Sequence, residues 1–225
     1  MTPLADGRHP GAHVEEWVFT AWTDDASLGI VSGHRITGRT AWYWAAVARE
    51  GRPLLHVLAD EITVRADPFI VKGEVLWAEH ARDAPMEQWS IGNETYAAAL
   101  EDPTEALGRA YGDRTAIAFD LEWSATAEPA GPARASGVSG YVQDGVVYGA
   151  IDVLGEPTLE LAELPARRWH RWTDDTRETP SMPPLDLPEA VAHRGVRAPF
   201  AFPDGTTLDL VLGPDGWRRR AARLR

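Results

Sequence analysis

Residues Leu28 to Val64 read LGIVSGHRITGRTAWYWAAVAREGRPLLHVLADEITV. Three apolar runs are separated by two turn signals, Gly38 and the stretch Glu50 to Pro53, so the segment reads strand, turn, strand, turn, strand. The aromatic run Trp42, Tyr43, Trp44 carries no helical stripe. Short strands with turns about every ten residues predict an antiparallel sandwich or barrel. Upstream, VEEWVFTAWTDD alternates Trp17, Phe19 and Ala21 with Val18, Thr20 and Trp22, as a strand with two covered faces would, and DDAS then makes a turn. Downstream, residues 67 to 80 read as a strand pair or one bulged strand kinked at Gly73. In TAIAFDLEWSAT, Phe119, Leu121 and Trp123 share one strand face and Asp120 and Glu122 the other.

Other segments depart from this rhythm. Asn93 to Tyr111 is Ala-rich and split by Asp102 and Pro103, an acid followed by proline, which predicts a short turn or loop and then one short helix from Pro103 to about Tyr111. Tyr141 to Tyr148 predicts a hairpin turning at Asp144 and Gly145. The proline-rich stretch after Trp172 predicts an irregular surface wrap, and the last thirty residues predict two strands around a Pro-Asp-Gly turn and a basic tail. Residues 1–13 read as a flexible lead-in, and residues 14–225 as a single β domain.

Composition narrows the function classes. The 225 residues carry a formal net charge of −12, which argues against a nucleic-acid partner or an anionic membrane surface. There is no cysteine, hence neither a disulfide framework nor a thiolate site. The N-terminus has no apolar signal region, and no run approaches a membrane span, so the expected compartment is the cytoplasm. Tryptophan is over-used: ten, against five Tyr and five Phe, which suits the wall of an apolar cavity.

Neither a nucleophile elbow nor a phosphate or dinucleotide loop is present. The seven histidines show no zinc spacing beyond the weak pair His9 and His13, so no metal and no cofactor is expected. What remains is acid–base work by carboxylates and histidine. The stretch Trp77 to Tyr96, WAEHARDAPMEQWSIGNETY, interleaves large apolar side chains with Glu79, His80, Glu87 and Glu94. Burial there would raise a carboxyl pKa and leave a neutral acid able to deliver a proton. Glu87, between Met86 and Trp89, has the most apolar neighbours and is the expected acid, with Glu79 or His80 as the returning base. Glu79 and His80, adjacent on a strand, face opposite ways, so only one can reach a cavity. Asp120, Glu122 and His170 are further catalytic candidates, and Trp44, Trp77, Trp89, Tyr96, Trp123 and Tyr141 are candidate substrate-binding walls. Each acid has a structural alternative, capping a turn or pairing with Arg82, Arg109 or Arg171.

The motif order DDASLG, LWAEH, APMEQWSIGNETYAAALEDP, FDLEWSAT, GYVQDGVVYGAIDV and ARRWHRW resembles the lipocalin-like (calycin) proteins related to carotenoid hydratases and the AttH proteins, in particular an actinobacterial branch. The likeness covers roughly residues 14 to 175. It implies an all-β barrel-like architecture around apolar terpenoid or polyketide ligands, and relatives that are hydratases or pericyclic cyclases. Where relatives usually read Asp, His, Ser, Trp, Gly, this chain has Arg168, Trp169, His170, Arg171 and Trp172, and the half that follows is much shorter. Two functions are therefore expected as alternatives: a cofactor-free hydratase, isomerase or cyclase acting on a hydrophobic isoprenoid or polyketide, or a non-catalytic carrier of such a molecule. An acid or histidine inside an enclosed cavity favours the first, an entirely apolar wall the second.

Overall fold

The computed structural model describes residues 6–23, 27–102, 105–106, 110–131, 139–174, 197–201, 206–213 and 216–223. Its strands are β1 (Val14–Trp22), β2 (Leu28–Thr37), β3 (Thr40–Arg49), β4 (Leu54–Thr63), β5 (Ile70–Lys72), β6 (Trp77–Ala84), β7 (Gln88–Leu100), β8 (Asp113–Ala125), β9 (Ser139–Val153) and β10 (Leu159–Thr173). These ten form one antiparallel sheet in the order β4-β3-β2-β1-β10-β9-β8-β7-β6-β5. The sheet closes on itself because the end of β7 also pairs with β4, Leu54 opposite Leu100 and His56 opposite Ala98. The ring runs β1-β2-β3-β4-β7-β8-β9-β10, with β6 and β5 extending the wall from the first half of β7. The closure covers three residues of each strand, and β5, paired with β6 alone, remains an edge. No helix among the described residues is long and apolar enough to cross a membrane.

Strand alternation sorts side chains into two cores. Trp17, Phe19, Ile30, Tyr43, Val57, Trp89, Phe119, Leu121, Trp123 and Ile151 point into the barrel and form the larger cluster. Val18, Trp22, Val31, Trp44, Ala46 and Trp169 form a second cluster on the outer face of the same strands. That is why the β1 sequence is bulky at every position. A three-stranded antiparallel sheet, β11 (Arg197–Ala201), β12 (Thr206–Gly213) and β13 (Gly216–Arg223), follows, with β11 lying near β3 and β4.

The antiparallel all-β barrel agrees with the alternation read from the sequence, and several local expectations are corrected. Asn93 to Leu100 is not a loop but the second half of β7, paired with β8 and then with β4, and pairing on two edges overrides the helix preference of Ala97 to Ala99. No hairpin forms at Asp144 and Gly145: β9 runs straight through, with Asp144 opposite Arg167 and Gly145 opposite Ala166. Gly145 serves close approach instead, since a Cβ there would collide with the Trp123 indole. Gly33 does the same opposite Trp44, where a Cβ would meet the indole at 2.6 Å. The basic tail is a strand, β13, so the C-terminal region has three strands rather than two. Of the expected helix, Glu105 and Ala106 make one helical turn, Ala110 and Tyr111 are not helical, and residues 103–104 and 107–109 lie outside the described residues. So does most of the proline-rich stretch, from residue 175 to 196.

The lead-in, described from residue 6, is not free. Asp6 is buried in the barrel end, where its carboxylate accepts hydrogen bonds from Arg168 at 2.8 Å, from the Tyr141 hydroxyl and from the Met86 backbone N–H, while its carbonyl accepts from the Trp17 indole at 3.0 Å. Residues 6–13 thus strap one mouth of the barrel.

Candidate functional site

The strap-covered end of the barrel holds a buried polar layer. Register places Tyr43, His34, Trp17, His170 and Tyr141 side by side across β3, β2, β1, β10 and β9, because each is the Cα partner of the next. All five are buried and share the inward face. The Trp17 indole stacks against His34 at 4.8 Å and against His170 at 4.6 Å between ring centroids. From the opposite wall β6 brings His80, whose Nδ1 lies 2.6 Å from His34 Nδ1 and whose Nε2 lies 2.9 Å from Ser32 Oγ. Ser32 Oγ is 3.1 Å from the Tyr43 hydroxyl, which accepts a hydrogen bond from Asn93 Nδ2 at 2.7 Å.

This network has a direction. Because Asn93 donates to Tyr43, the Tyr43 proton points to Ser32, the Ser32 proton to His80 Nε2, and His80 donates through Nδ1 to His34 Nδ1. His34 is then left with its proton on Nε2, a buried donor with no protein partner. Rotating the Asn93 amide reverses every bond and leaves Nε2 as a bare lone pair instead. Burial holds both imidazoles neutral, pushing His34 down to about 3, with the nearby His170 adding to the effect, and His80 well below its usual value, with His34 adding to it. Burial also pushes the Tyr43 hydroxyl up to about 12, against the opposing hydrogen bonds of Ser32 and Asn93.

Two further groups adjoin this layer. Arg168 lies among the rings of Trp89, Trp123 and Tyr141, 4.9 to 5.5 Å from their centroids, and donates to Asp6 and to Gln143. At the mouth, Glu15 Oε1 is 2.8 Å from His9 Nδ1 and 2.7 Å from His170 Nε2, and both Glu15 oxygens accept the His9 backbone N–H. Burial pushes Glu15 up to about 8, against the His9 hydrogen bond and the Arg8 charge, which favour the carboxylate. His9 stacks on Trp172 at 3.6 Å and borders a cleft of ≈ 260 Å³ lined also by Pro10, Ala12, Ser139, Trp172 and Asp174.

Of the residues singled out in the sequence, His80, His170, Trp89, Trp123 and Tyr141 meet inside the barrel. The others do not. Glu87 is exposed in the β6–β7 turn, and Asp120 and Glu122 are exposed on the outer face of β8, so the burial that would have tuned them is missing. Glu79 is half-buried on the outer side of β6, opposite in direction to His80. Trp77 covers Gly92 from outside, Tyr96 is 47 % exposed beneath Arg114, and Trp44 belongs to the outer core. Of the expected arginine partners, Arg171 pairs with Glu16. Sequence reading missed Asp6, Glu15, Ser32, His34, Tyr43, Asn93 and Arg168 as site residues, and saw His9 only as half of a weak pair with His13. A signal existed for two of them: Glu15 shares the parity of Trp17 and Phe19, and His34 that of Ile30 and Ile36. Compared with family models, curated proteins and solved structures, the chain matches none.

Proposed function

We propose that the protein is an acid–base enzyme that shifts a proton within a small, largely apolar molecule, a hydratase, isomerase or cyclase of isoprenoid- or polyketide-like substrates. One observation carries the reading: the chain Asn93–Tyr43–Ser32–His80–His34, buried among aromatic side chains and ending on His34 Nε2 with no protein partner. In one polarity the terminal imidazole donates a proton to a substrate oxygen or carbon; in the other it accepts one. A proton taken from one substrate atom by the bare Nε2 makes a transient imidazolium, which the interior disfavours, and its return to another atom of the same substrate restores the neutral chain. His34 is the contact residue, and His80 and Ser32 set its tautomer. A polar, histidine-bearing interior favours the enzyme over a carrier, because a carrier of apolar molecules gains nothing from burying these groups. The resemblance of the sequence motifs to the lipocalin-like proteins supplies the substrate class in this proposal, and a cytoplasmic location accords with it.

The test is proton exchange. Incubated in D₂O with a panel of isoprenoid and polyketide olefins and ketones, the protein should place deuterium in at least one of them, read by mass spectrometry. His34→Gln and His80→Gln should slow that exchange by ~10²–10⁴-fold, the usual weight of a general acid or base, while ligand quenching of tryptophan fluorescence persists. Saturable binding without exchange in the unaltered protein would replace this reading with the carrier.

A further inference from the structure

We infer that His9, Glu15 and His170 form a binding site for one first-row divalent cation such as Zn²⁺ at the mouth of the barrel. The donor atoms, His9 Nδ1, Glu15 Oε1 and His170 Nε2, all lie within 4.8 Å of one another. Two imidazoles and one carboxylate are a donor set that suits Zn²⁺ and its neighbours, with metal–ligand distances of about 2.0–2.2 Å and a further position left open. Three such donors around one ion stand about 3.0–3.5 Å apart at that bond length. Glu15 Oε1 is 2.8 Å from one nitrogen and 2.7 Å from the other and has to withdraw by some tenths of an ångström, while the two nitrogens, up to 4.8 Å apart, have to close in, a movement that falls to His9 on the part-exposed strap.

The donors are also pre-aimed. Glu15 and His170 come from the inward faces of the paired strands β1 and β10, where Trp17 is opposite His170 and Glu15 opposite Trp172. Indoles hold both imidazole planes, Trp172 stacking on His9 at 3.6 Å and Trp17 on His170 at 4.6 Å. The His9 backbone N–H donates to both Glu15 oxygens, the kind of outer hydrogen bond that orients a ligating carboxylate. The remaining coordination positions have somewhere to open: His9 borders the ≈ 260 Å³ cleft, whose rim includes Ser139 and Asp174. Such an ion would tie the 6–13 strap to the barrel wall, and an oxygen-bearing ligand or water entering the cleft could complete its shell. The site adjoins the His34–His80 chain across Trp17 but uses none of its residues, so cation binding and proton transfer are read out separately and either proposal can fail without the other.

Cobalt(II) is a suitable probe, because its visible ligand-field bands report low-coordinate nitrogen and oxygen ligation. Full-length protein stripped with chelator should bind one equivalent of Co²⁺ with such bands, Zn²⁺ should displace it, and either ion should raise the melting temperature. Glu15→Gln and His9→Ala should each weaken binding by more than about tenfold, since even changes behind a ligand have that effect. His13→Ala, which alters the close sequence neighbour of His9, should leave affinity unchanged. His9 lies on the strap, so His9→Ala keeps the test open if Glu15→Gln fails to fold, with circular dichroism as the check. No bands and no thermal shift, or His9→Ala binding as well as the unaltered protein, would overturn the assignment.

Discussion

At the scale of single residues, burial decides which groups matter. Arg168 and Asp6 form an ion pair almost without solvent contact. A guanidinium left there alone would lack its counter-charge, so Asp6→Ala is expected to destabilise the fold by about 3–5 kcal/mol, measurable by urea unfolding. The buried histidines and Glu15 set the pH dependence of stability with opposite signs: Glu15, pushed up to about 8 by burial, favours the folded chain increasingly as pH falls below that value and offsets about one histidine. His34 is held down to about 3, His56 to about 4, both chiefly by burial, and His80 well below its normal range. The unfolded chain binds protons at these groups below about pH 6.5 while the folded chain does not. Their contribution is therefore whole above that pH and is lost as pH falls toward the folded values, at up to about 1.4 kcal/mol per pH unit for each histidine. Unfolding free energies at pH 7 and pH 5 should differ accordingly, and a protein as stable at pH 5 as at pH 7 would contradict the buried neutral state.

At the scale of elements, the main lesson comes from β9. Asp144–Gly145 is a strong turn signal in isolation, yet Gly145 sits mid-strand because Trp123 occupies the space a side chain would need. Gly145→Ala is expected to force that indole aside and to lower stability by about 1–3 kcal/mol, the usual range for overpacking, with a shift in near-ultraviolet circular dichroism. A hairpin at this position would instead tolerate alanine poorly only through its turn conformation and would leave the tryptophan signal unmoved. The same contest between local and tertiary preference explains β7, whose alanines read as non-strand until both edges find partners.

At the scale of the molecule, the barrel has one weak seam. β9 and β10 share a long ladder, whereas β4 and β7 meet only from Leu54 to His56 and from Ala98 to Leu100. Local opening follows the shortest ladder, so amides of these two segments should exchange with deuterium sooner than those of the β9–β10 ladder, as hydrogen-exchange mass spectrometry can read. Uniform protection around the ring would count against this closure.

What the sequence determined by itself was the class of fold and the inventory of chemistry. Period-two alternation at Phe119 to Trp123 specifies a strand because a pleated backbone turns alternate side chains to opposite faces, and that argument needs no partner. It also sorted Glu79 from His80. It could not say which of the two faces is the inside, since β1 buries both, nor which distant residues share a row. The meeting of His34 with His80, of Glu15 with His9 and His170, and of Asp6 with Arg168 follows from ring closure and strand register. Those are relations between strands, and one residue of slip would turn each of these side chains outward. Glu87 was misplaced for the same reason: apolar neighbours along the chain are not neighbours in space, and the β6–β7 turn leaves its carboxylate in water.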